Sequence, residues 1–348
     1  MSGAERGPLQ FSLFFFAASP EDTPGDLYRL LIESAKFADS HGFTAVWTPE
    51  RHFQKFGGLY PNPSVTSAAL STITSNIGLR AGSVVVPLQN PLRIAEEWAV
   101  VDNLSKGRVA LSFASGWHAD DFVLAPQVYA NRREDMIAKI AMVKKLWRGD
   151  EVLLPNGEGR DIPVRIQPRP VQPELDIWLT CQQDASFTTC GELGYKVLTN
   201  LNYKKRDDLA RKTLLYHDAS RRAHSRHGHF TLMAHTFVGT DETHVWSVAG
   251  TSLMRYLETR VDMDAKLYEE LEISDEDRAF LARRGTEQFL GETSLIGTEA
   301  TCVARAAEFH ALGVDEIACL IDFGVPFDEV MASLERVAKI KATLSAQL

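Results

Sequence analysis

The chain has 348 residues, of which 45% are hydrophobic and 24% charged, and its formal net charge is −9. This negative charge argues against a protein that binds nucleic acid or an anionic membrane by electrostatic attraction. The longest apolar run, residues 13–18, is too short to span a bilayer, and the N-terminus lacks the apolar core of a signal peptide. Four scattered cysteines without a C-x-x-C pair indicate neither a disulfide framework nor a zinc site. We therefore expect a cytoplasmic protein that holds no metal ion.

Short apolar runs alternate with helical patterns along the whole chain. Four of these runs are apolar on both faces, which is typical of strands inside a parallel sheet. Strands are predicted over residues 9–17, 44–48, 77–86, 109–114, 175–180, 196–199, 230–238 and 314–321. Helices are predicted before Gly42, over 64–74, from the 87–91 turn to 103, and over 131–147, 186–193, 204–226, 299–312 and 327–344. Glycines just past these helices, such as Gly107 and Gly149, fit the positions where helices stop.

Two stretches are longer than a connection between a strand and a helix needs. Residues 148–174 are rich in proline and glycine and predict a surface excursion with a hairpin, whereas residues 241–297 predict a mostly helical, acidic insertion. Eight strand–helix units with right-handed crossovers favour a closed (β/α)8 TIM barrel. The competing architecture is an open, doubly wound sheet, but no G-x-G-x-x-G follows any strand. We therefore predict an α/β fold with a single barrel domain over residues 1–348.

The C-terminal ends of the strands are the expected place for an active site in such a barrel. Four of these ends carry reactive or polar side chains: Glu50-Arg51-His52, Gln89-Asn90, Ser115-Trp117-His118 and Gln182-Gln183-Ser186.

Histidine and arginine at these ends suggest acid–base chemistry and anion binding. His52 is the leading candidate for proton transfer, because only histidine titrates near neutral pH without perturbation. Arg51 could bind an anion or pair with a carboxylate, and for Glu50 a structural ion pair is the preferred interpretation. His118 has two equally weighted interpretations, a site residue or a cap of the following turn. Trp117 could form a wall for a flat ligand or belong to the rim of the core.

Residues 181–186 lie between a strand and the start of a helix. Backbone N–H groups there, with the hydroxyl of Ser186, predict a phosphate site, although Asp184 could be no more than the helix N-cap. A second group of histidines is interpreted as a solvated helix face and not as a metal site, because no helix-face spacing with a carboxylate supports a metal. These are His217, His224, His227 and His229. His235 lies inside a strand and is predicted to be a core histidine.

Three segments resemble the bacterial luciferase-like flavin monooxygenases: FADSHGFTAVWTPERHF (37–53), PLQNPLRIAEEW (87–98) and NLSKGRVALSFASGWH (103–118). The resemblance extends to Ile296-Gly-Thr and to residues 315–326. It is closest to the branch of natural-product biosynthesis, where such units occur alone or within polyketide and peptide synthetase lines.

The resemblance implies a barrel enzyme that uses reduced FMN and O₂. A separate flavin reductase would supply FMNH₂, and a C4a-peroxyflavin would deliver oxygen by Baeyer–Villiger oxidation or hydroxylation. The implied substrate is a small molecule, or a polyketide or peptide tethered to a carrier protein. The family also implies a homodimer.

Roles follow from the resemblance residue by residue. His52 matches a histidine that flanks the flavin ring and is needed for reaction, and Arg51 stands where luciferase has a second histidine. Ser115 replaces an arginine that contacts the flavin phosphate, and Ala114 replaces a reactive cysteine. Phosphate binding then falls to the amides of the 182–183 loop and to Ser186. The implied cofactor-binding residues are Leu88, Gln89, Asn90, Ser115, Trp117, Cys181, Gln182, Gln183 and Ser186, and the implied catalytic residues are His52 and Arg51.

Some positions depart from the pattern of the family. The natural-product branch often has histidines in place of Gln89 and Asn90, and a glycine-containing loop at 182–184. The turn over residues 87–90 matches the region where the family places a non-prolyl cis peptide below the flavin.

Two other functions compete with the monooxygenase. A barrel of this type could bind the deazaflavin F420 and transfer hydride without oxygen, but the chain lacks a clear basic cluster for the long anionic tail of that cofactor. A non-catalytic flavin-binding or scaffold barrel is favoured by the replaced arginine and cysteine positions, whereas the retained His52 argues against it.

Overall fold

The computed structural model describes residues 7–16, 27–54, 58–201, 206–267 and 274–347. The strands in these residues are β1 (Gln10–Phe14), β2 (Ala45–Thr48), β3 (Gly78–Val85), β4 (Val109–Ala114), β5 (Val152–Pro155), β6 (Asp161–Val164), β7 (Ile177–Thr180), β8 (Lys196–Asn200), β9 (Phe230–Gly239), β10 (Leu295–Thr298) and β11 (Glu316–Leu320). The helices are α1 (Arg29–Ser40), α2 (Pro63–Ser71), α3 (Pro91–Ser105), α4 (Arg132–Arg148), α5 (Asp184–Glu192), α6 (Arg206–His224), α7 (Glu242–Val245), α8 (Thr251–Leu267), α9 (Asp275–Gln288), α10 (Glu299–Ala311) and α11 (Phe327–Gln347).

Eight parallel strands close into a barrel in the order β1, β2, β3, β4, β7, β8, β9 and β11. The last of them, β11, pairs with both β9 and β1 and so completes the ring. Closure leaves no exposed edge, and the crossover helices cover the outer face of the sheet. The predicted (β/α)8 TIM barrel and its eight strands are confirmed.

Both excursions have the predicted character. The first contains the antiparallel hairpin of β5 and β6, and the described part of the second contains α7, α8 and α9. The second also ends in a strand that was not predicted, β10, which pairs in parallel with residues 236–239 of β9. Because β10 has only four residues and one barrel neighbour, its sequence carries no periodic pattern that would reveal it.

A buried ion pair closes the N-terminal end of the barrel interior. Nη1 of Arg80 lies 2.8 Å from Oε2 of Glu316, and the guanidinium carbon lies 4.8 Å from the ring centroid of Trp47 and 4.5 Å from that of Trp178. Burial opposes ionisation of Glu316, but the charge of Arg80 and a hydrogen bond from His229 hold the pKa of this carboxyl well below its usual range. The opposite end, where the strands terminate, is thereby left for the functional groups.

Helix ends follow the local sequence. Gly149 takes the left-handed conformation at the end of α4, with φ 88°. The helix predicted to follow the 87–91 turn begins at Pro91, after a 3₁₀ turn over residues 86–88, and the side chain of Asn90 accepts from Leu92 N as its N-cap. No helix in the described ranges combines the length and the apolarity that crossing a bilayer requires.

Candidate functional site

A buried carboxylate orients His52 at the end of β2. Nε2 of His52 lies 3.1 Å from Oε1 of Glu50, whose side chain is buried. The same carboxylate accepts from Val85 N at 2.7 Å and from Nε2 of Gln89 at 2.7 Å. Because the carboxylate accepts at Nε2 of the imidazole, Nδ1 is the nitrogen that can take up or release a proton. The preferred structural interpretation of Glu50 fits these contacts, with His52 as its ionisable partner.

Arg51 packs between two aromatic rings at the mouth of the barrel. Its guanidinium carbon lies 4.9 Å from the ring centroid of Trp117 and 5.7 Å from that of Phe16. The Arg51 side chain is buried, whereas Trp117 is 49% exposed. Gly116, with φ 78°, makes the turn that carries Trp117 outward, and a Cβ there would lie 2.8 Å from the ring of Phe122. Trp117 is therefore a partly exposed aromatic ring at the rim of the barrel.

Two polar residues that follow Trp117 in the chain, His118 and Asp121, are buried. His118 occupies the N-cap position of the 3₁₀ turn Ala119–Leu124, yet its side chain makes no capping hydrogen bond, which rules out the capping interpretation. Within the described residues, Nδ1 of His118 and Oδ1 of Asp121 are buried without a hydrogen-bond partner. Burial raises the pKa of Asp121, and the charges of Arg51, His118 and His52 oppose that rise only in part. Orphaned polar atoms at a strand end are typical of a ligand site.

Three hydroxyl groups meet inside the barrel below these residues. Oγ of Ser83 lies 2.9 Å from Oγ of Ser112, and both also contact the hydroxyl of Thr180. Ser112 is level with Trp178 in the sheet and therefore shares its inward face. This cluster was not predicted from the sequence, although a serine inside an apolar strand, such as Ser112, is a signal that could have revealed it.

The non-prolyl cis peptide lies at Gly82–Ser83, inside β3, and not in the 87–90 turn where the resemblance placed it. The pairing of β3 with β4 shifts register at this point. Only glycine fits at position 82, because a Cβ would lie 2.7 Å from the ring of Phe14 and 3.2 Å from Cβ of Trp47.

The start of α5 is the place where the sequence predicts an anion site. Gln183 is the N-cap residue and Asp184 is the first residue of the helix, so the N-cap interpretation of Asp184 is wrong. The hydroxyl of Ser186 accepts from Gln182 N at 3.2 Å and donates to the carbonyl of Gln183 at 2.5 Å, which folds the loop over the helix end. The carboxylate of Asp184 forms an ion pair with Arg211, so its negative charge is offset at this helix N-terminus.

Several of the other residues predicted to contact the cofactor already have contacts within the protein. Asn90 caps α3 with its side chain, and Leu88 is buried at the end of the 3₁₀ turn. Cys181 has a buried thiol 3.4 Å from the carbonyl of Ser186, so it faces the core beneath α5. Ser115 lies at the end of β4 and is half-buried.

Not all of the histidines that were predicted to form a solvated helix face are exposed to solvent. His217 and His229 are not solvated: His217 is buried, and His229 lies 3.1 Å from Oε2 of Glu316. His217 is on the side of α6 that packs against the carbonyl of Gly313, and His229 directly precedes β9. His224 is exposed as predicted. His235 is buried among the rings of Tyr256, Phe289 and Phe323, as expected for a core histidine.

A sequence model of the "luciferase-like monooxygenase" family matches residues 9–316. The chain belongs to this family. It is 27% identical over 340 residues to the "flavin-dependent trigonelline monooxygenase, oxygenase component" of Acinetobacter baylyi, covering 94% of this chain and 93% of that protein. The predicted membership of the family and the predicted class of enzyme are therefore confirmed.

Solved structures share the barrel at low sequence identity. A monooxygenase from Streptomyces bottropensis superposes with a TM-score of 0.79 at 23% identity, over 95% of this chain and 98% of that one. The oxygenating constituent of 3,6-diketocamphane monooxygenase from Pseudomonas putida, a type II Baeyer–Villiger monooxygenase in complex with FMN, gives a TM-score of 0.75 at 20% identity, over 97% and 98%. A coenzyme F420-dependent tetrahydromethanopterin reductase from Methanopyrus kandleri gives 0.68 at 17% identity, over 96% and 98%. At these identities the likeness shows the fold alone.

Proposed function

We propose that this protein is the oxygenase component of a two-component monooxygenase that uses reduced FMN and O₂. It would carry out Baeyer–Villiger oxidation or hydroxylation of a small or carrier-tethered substrate in polyketide or peptide natural-product biosynthesis. The observation that carries the proposal is the His52–Glu50 pair at the strand ends of a barrel that belongs to the luciferase-like family. The relative named an oxygenase component supports a partner flavin reductase.

The residues at the barrel mouth fit FMN in two respects. The N-terminus of α5, with Ser186 and the amides of the 182–183 loop, is chemically suited to a phosphate. Trp117 and the orphaned Nδ1 of His118 lie at the neighbouring strand end, where a flat, polar-edged ring would find a stacking face and a hydrogen-bond partner. Reduced FMN, when bound, activates O₂ and supplies one oxygen atom to the substrate.

The protein's own groups would control protons and water. His52, held through Nε2 by Glu50, would take up or release a proton at Nδ1. Arg51, enclosed by Trp117 and Phe16, would bind an oxygen of the substrate in a site of low polarity, where its charge acts strongly. The aromatic rings around it exclude water, which protects a reactive oxygenated state from wasteful breakdown.

A homodimer is part of the proposal. Helices α2 and α3 expose Val65, Val100 and Leu104, and the first two line a groove of about 610 Å³. A second copy of the chain would cover this apolar face. Light scattering of purified protein, with Val100→Glu as the interface variant, tests it: a dimer that becomes monomeric supports the assignment, and a wild-type monomer contradicts it.

F420-dependent hydride transfer is the second candidate, favoured by the shared fold of the F420 reductase. The two functions differ in their need for oxygen. Anaerobic titration of the protein with FMNH₂ and with reduced F420, followed by tryptophan fluorescence, identifies the cofactor that binds. Preference for FMNH₂, with oxygen incorporated from ¹⁸O₂ into product, supports the monooxygenase. Binding of F420 alone contradicts it.

A further inference from the structure

A cluster of metal-ligating side chains lies at the N-terminal end of the barrel, away from the candidate site. One donor atom each from His217, His227 and Asp315 lies within 4.8 Å of the others. The three residues come from different segments: α6, the connection from α6 to β9, and the turn before β11. Residues far apart in sequence are thus brought together by the closed barrel.

Hydrogen bonds orient two of the three groups toward a common point. Nε2 of His217 lies 3.0 Å from the carbonyl of Gly313, so the ligand atom of this imidazole is Nδ1. Oδ2 of Asp315 accepts from Phe230 N at 2.8 Å, so its ligand atom is Oδ1. Metal-binding histidines and carboxylates characteristically tie their second atom to the backbone in this way, because that fixes the tautomer and the direction of the ligand atom.

The spacing of the donor atoms is close to that of ligands around one ion. Nε2 of His227 lies 3.7 Å from Oδ1 of Asp315, beyond hydrogen-bonding distance. Ligands bound to zinc at 2.0–2.1 Å stand roughly 3.3 Å from one another in tetrahedral geometry. The two imidazole rings are stacked with centroids 3.8 Å apart, so the partly exposed His227 would have to rotate out of this stack for both rings to point a nitrogen at the same ion.

The cluster is accessible from solvent. His227 and Asp315 line a polar cleft of about 720 Å³, and the side chain of His227 is 27% exposed. Water in this cleft would complete the coordination of an ion. Two imidazole nitrogens and one carboxylate oxygen form a ligand set that suits Zn²⁺, Co²⁺ and Ni²⁺ and not Ca²⁺ or Mg²⁺.

We propose that His217, His227 and Asp315 bind one divalent transition-metal ion of the zinc class. The ion would join α6 to the turn before β11 and stabilise the folded barrel by binding it and not the unfolded chain. It would not take part in oxygenation, because the Arg80–Glu316 pair and its tryptophan rings fill the barrel interior between this cluster and the candidate site.

Metal titration of full-length protein without a histidine tag, freed of metal by chelation, tests the proposal. Zn²⁺ binding is measured by calorimetry, and Co²⁺ binding by its visible absorption bands, which report the ligand geometry. His227→Ala removes a partly exposed ligand, and Asp315→Asn keeps an acceptor for Phe230 N. His224→Ala is the matched control, because this exposed histidine of α6 lies outside the cluster and contacts the carbonyl of Glu192.

The proposal predicts one Zn²⁺ per chain in the wild type and in His224→Ala. We expect the loss of a direct ligand in His227→Ala and in Asp315→Asn to weaken binding by more than about 100-fold. Zn²⁺ should raise the Tm of the wild type and of the control but not that of His227→Ala. Equal binding by His227→Ala and the wild type, or no saturable binding by any of the four proteins, would overturn the assignment.

Discussion

Nε2 of His52 lies 3.1 Å from Oε1 of Glu50, and the second oxygen of that carboxylate accepts from the backbone of Val85. A side chain at the end of β2 is therefore fixed by the end of β3. Because Glu50 is buried and held by neighbouring strands, it can set the direction of the imidazole without moving itself. This pair is the part of the site on which the proposed chemistry depends most.

Replacing His52 by alanine tests the role of its imidazole. We expect product formed per FMNH₂ consumed to fall by about 10²-fold, with a matching rise in hydrogen peroxide, because proton transfer by a positioned side chain contributes that much. Product and peroxide are measured together in an assay with excess reductase. His41→Ala, at the exposed end of α1, is the control. Full coupling in His52→Ala, without extra peroxide, would show that His52 is not involved.

Two tryptophans of nearly equal exposure can report whether FMN binds at the barrel mouth or elsewhere on the surface. Trp117 is 49% exposed beside Arg51, and Trp246 is 48% exposed just after α7. We expect FMN to quench less tryptophan fluorescence in Trp117→Phe than in the wild type, because a ring stacked on the flavin is quenched most strongly. Trp246→Phe should lose fluorescence but show a fractional quench at least as large as that of the wild type, because the tryptophan it lacks lies away from the flavin. The opposite pattern would place the flavin elsewhere.

Ser186→Ala tests the anion site at the start of α5. Its hydroxyl accepts from Gln182 N and donates to the carbonyl of Gln183. On binding FMN this hydroxyl would turn from the carbonyl of Gln183 to donate to the phosphate, and losing that hydrogen bond to a charged group, worth ~1.5 kcal/mol, predicts an increase of about 10-fold in the Kd for FMN. The Kd is measured by fluorescence titration, with the exposed Ser247→Ala as control. Riboflavin, which lacks the phosphate, should bind both proteins equally. An unchanged Kd for FMN in Ser186→Ala would rule out a phosphate at this helix end.

Asp121→Asn predicts a change in the pH dependence of stability. Burial raises the pKa of Asp121 above its ordinary value of 3.8, so deprotonation is harder in the folded chain than in the unfolded chain. The contribution of protonated Asp121 to the free energy of unfolding is complete below pH 3.8 and is lost as the pH rises through the folded pKa. Because asparagine does not ionise, the variant should become more stable relative to the wild type as the pH rises. Urea unfolding between about pH 3.5 and pH 7 measures it, and parallel curves would contradict the raised pKa.

The fold could be predicted from the sequence because the barrel repeats one simple pattern. Runs such as Val109–Ala114 are buried on both faces and can only be central parallel strands. β10 escaped prediction because it has only four residues and pairs with one barrel strand only. The need for glycine at position 82 comes from the close packing of Phe14 and Trp47, which lie far from it in the sequence and cannot be read from spacing.

The sequence predicts which strand ends carry the candidate site, but it does not predict which side chains contact one another there. His52, Arg51 and Trp117 were identified from their positions, whereas the carboxylate that orients His52 was known only as a structural residue. The hydroxyl cluster of Ser83, Ser112 and Thr180 needs three strands in register before it exists. The burial of His217 likewise depends on how α6 packs, which helical spacing alone does not determine.

Stopped-flow absorbance of the protein with FMNH₂ and oxygenated buffer tests the central claim most directly. An oxygenated flavin absorbs at about 380 nm, which is a property of the cofactor. The lifetime of this absorbance therefore reports how well the protein protects the oxygenated flavin from breakdown. We predict a transient at this wavelength that outlives the reaction of free FMNH₂ and shortens in His52→Ala. Oxidised FMN that returns at the rate of free flavin, with no transient, would contradict the proposed monooxygenase.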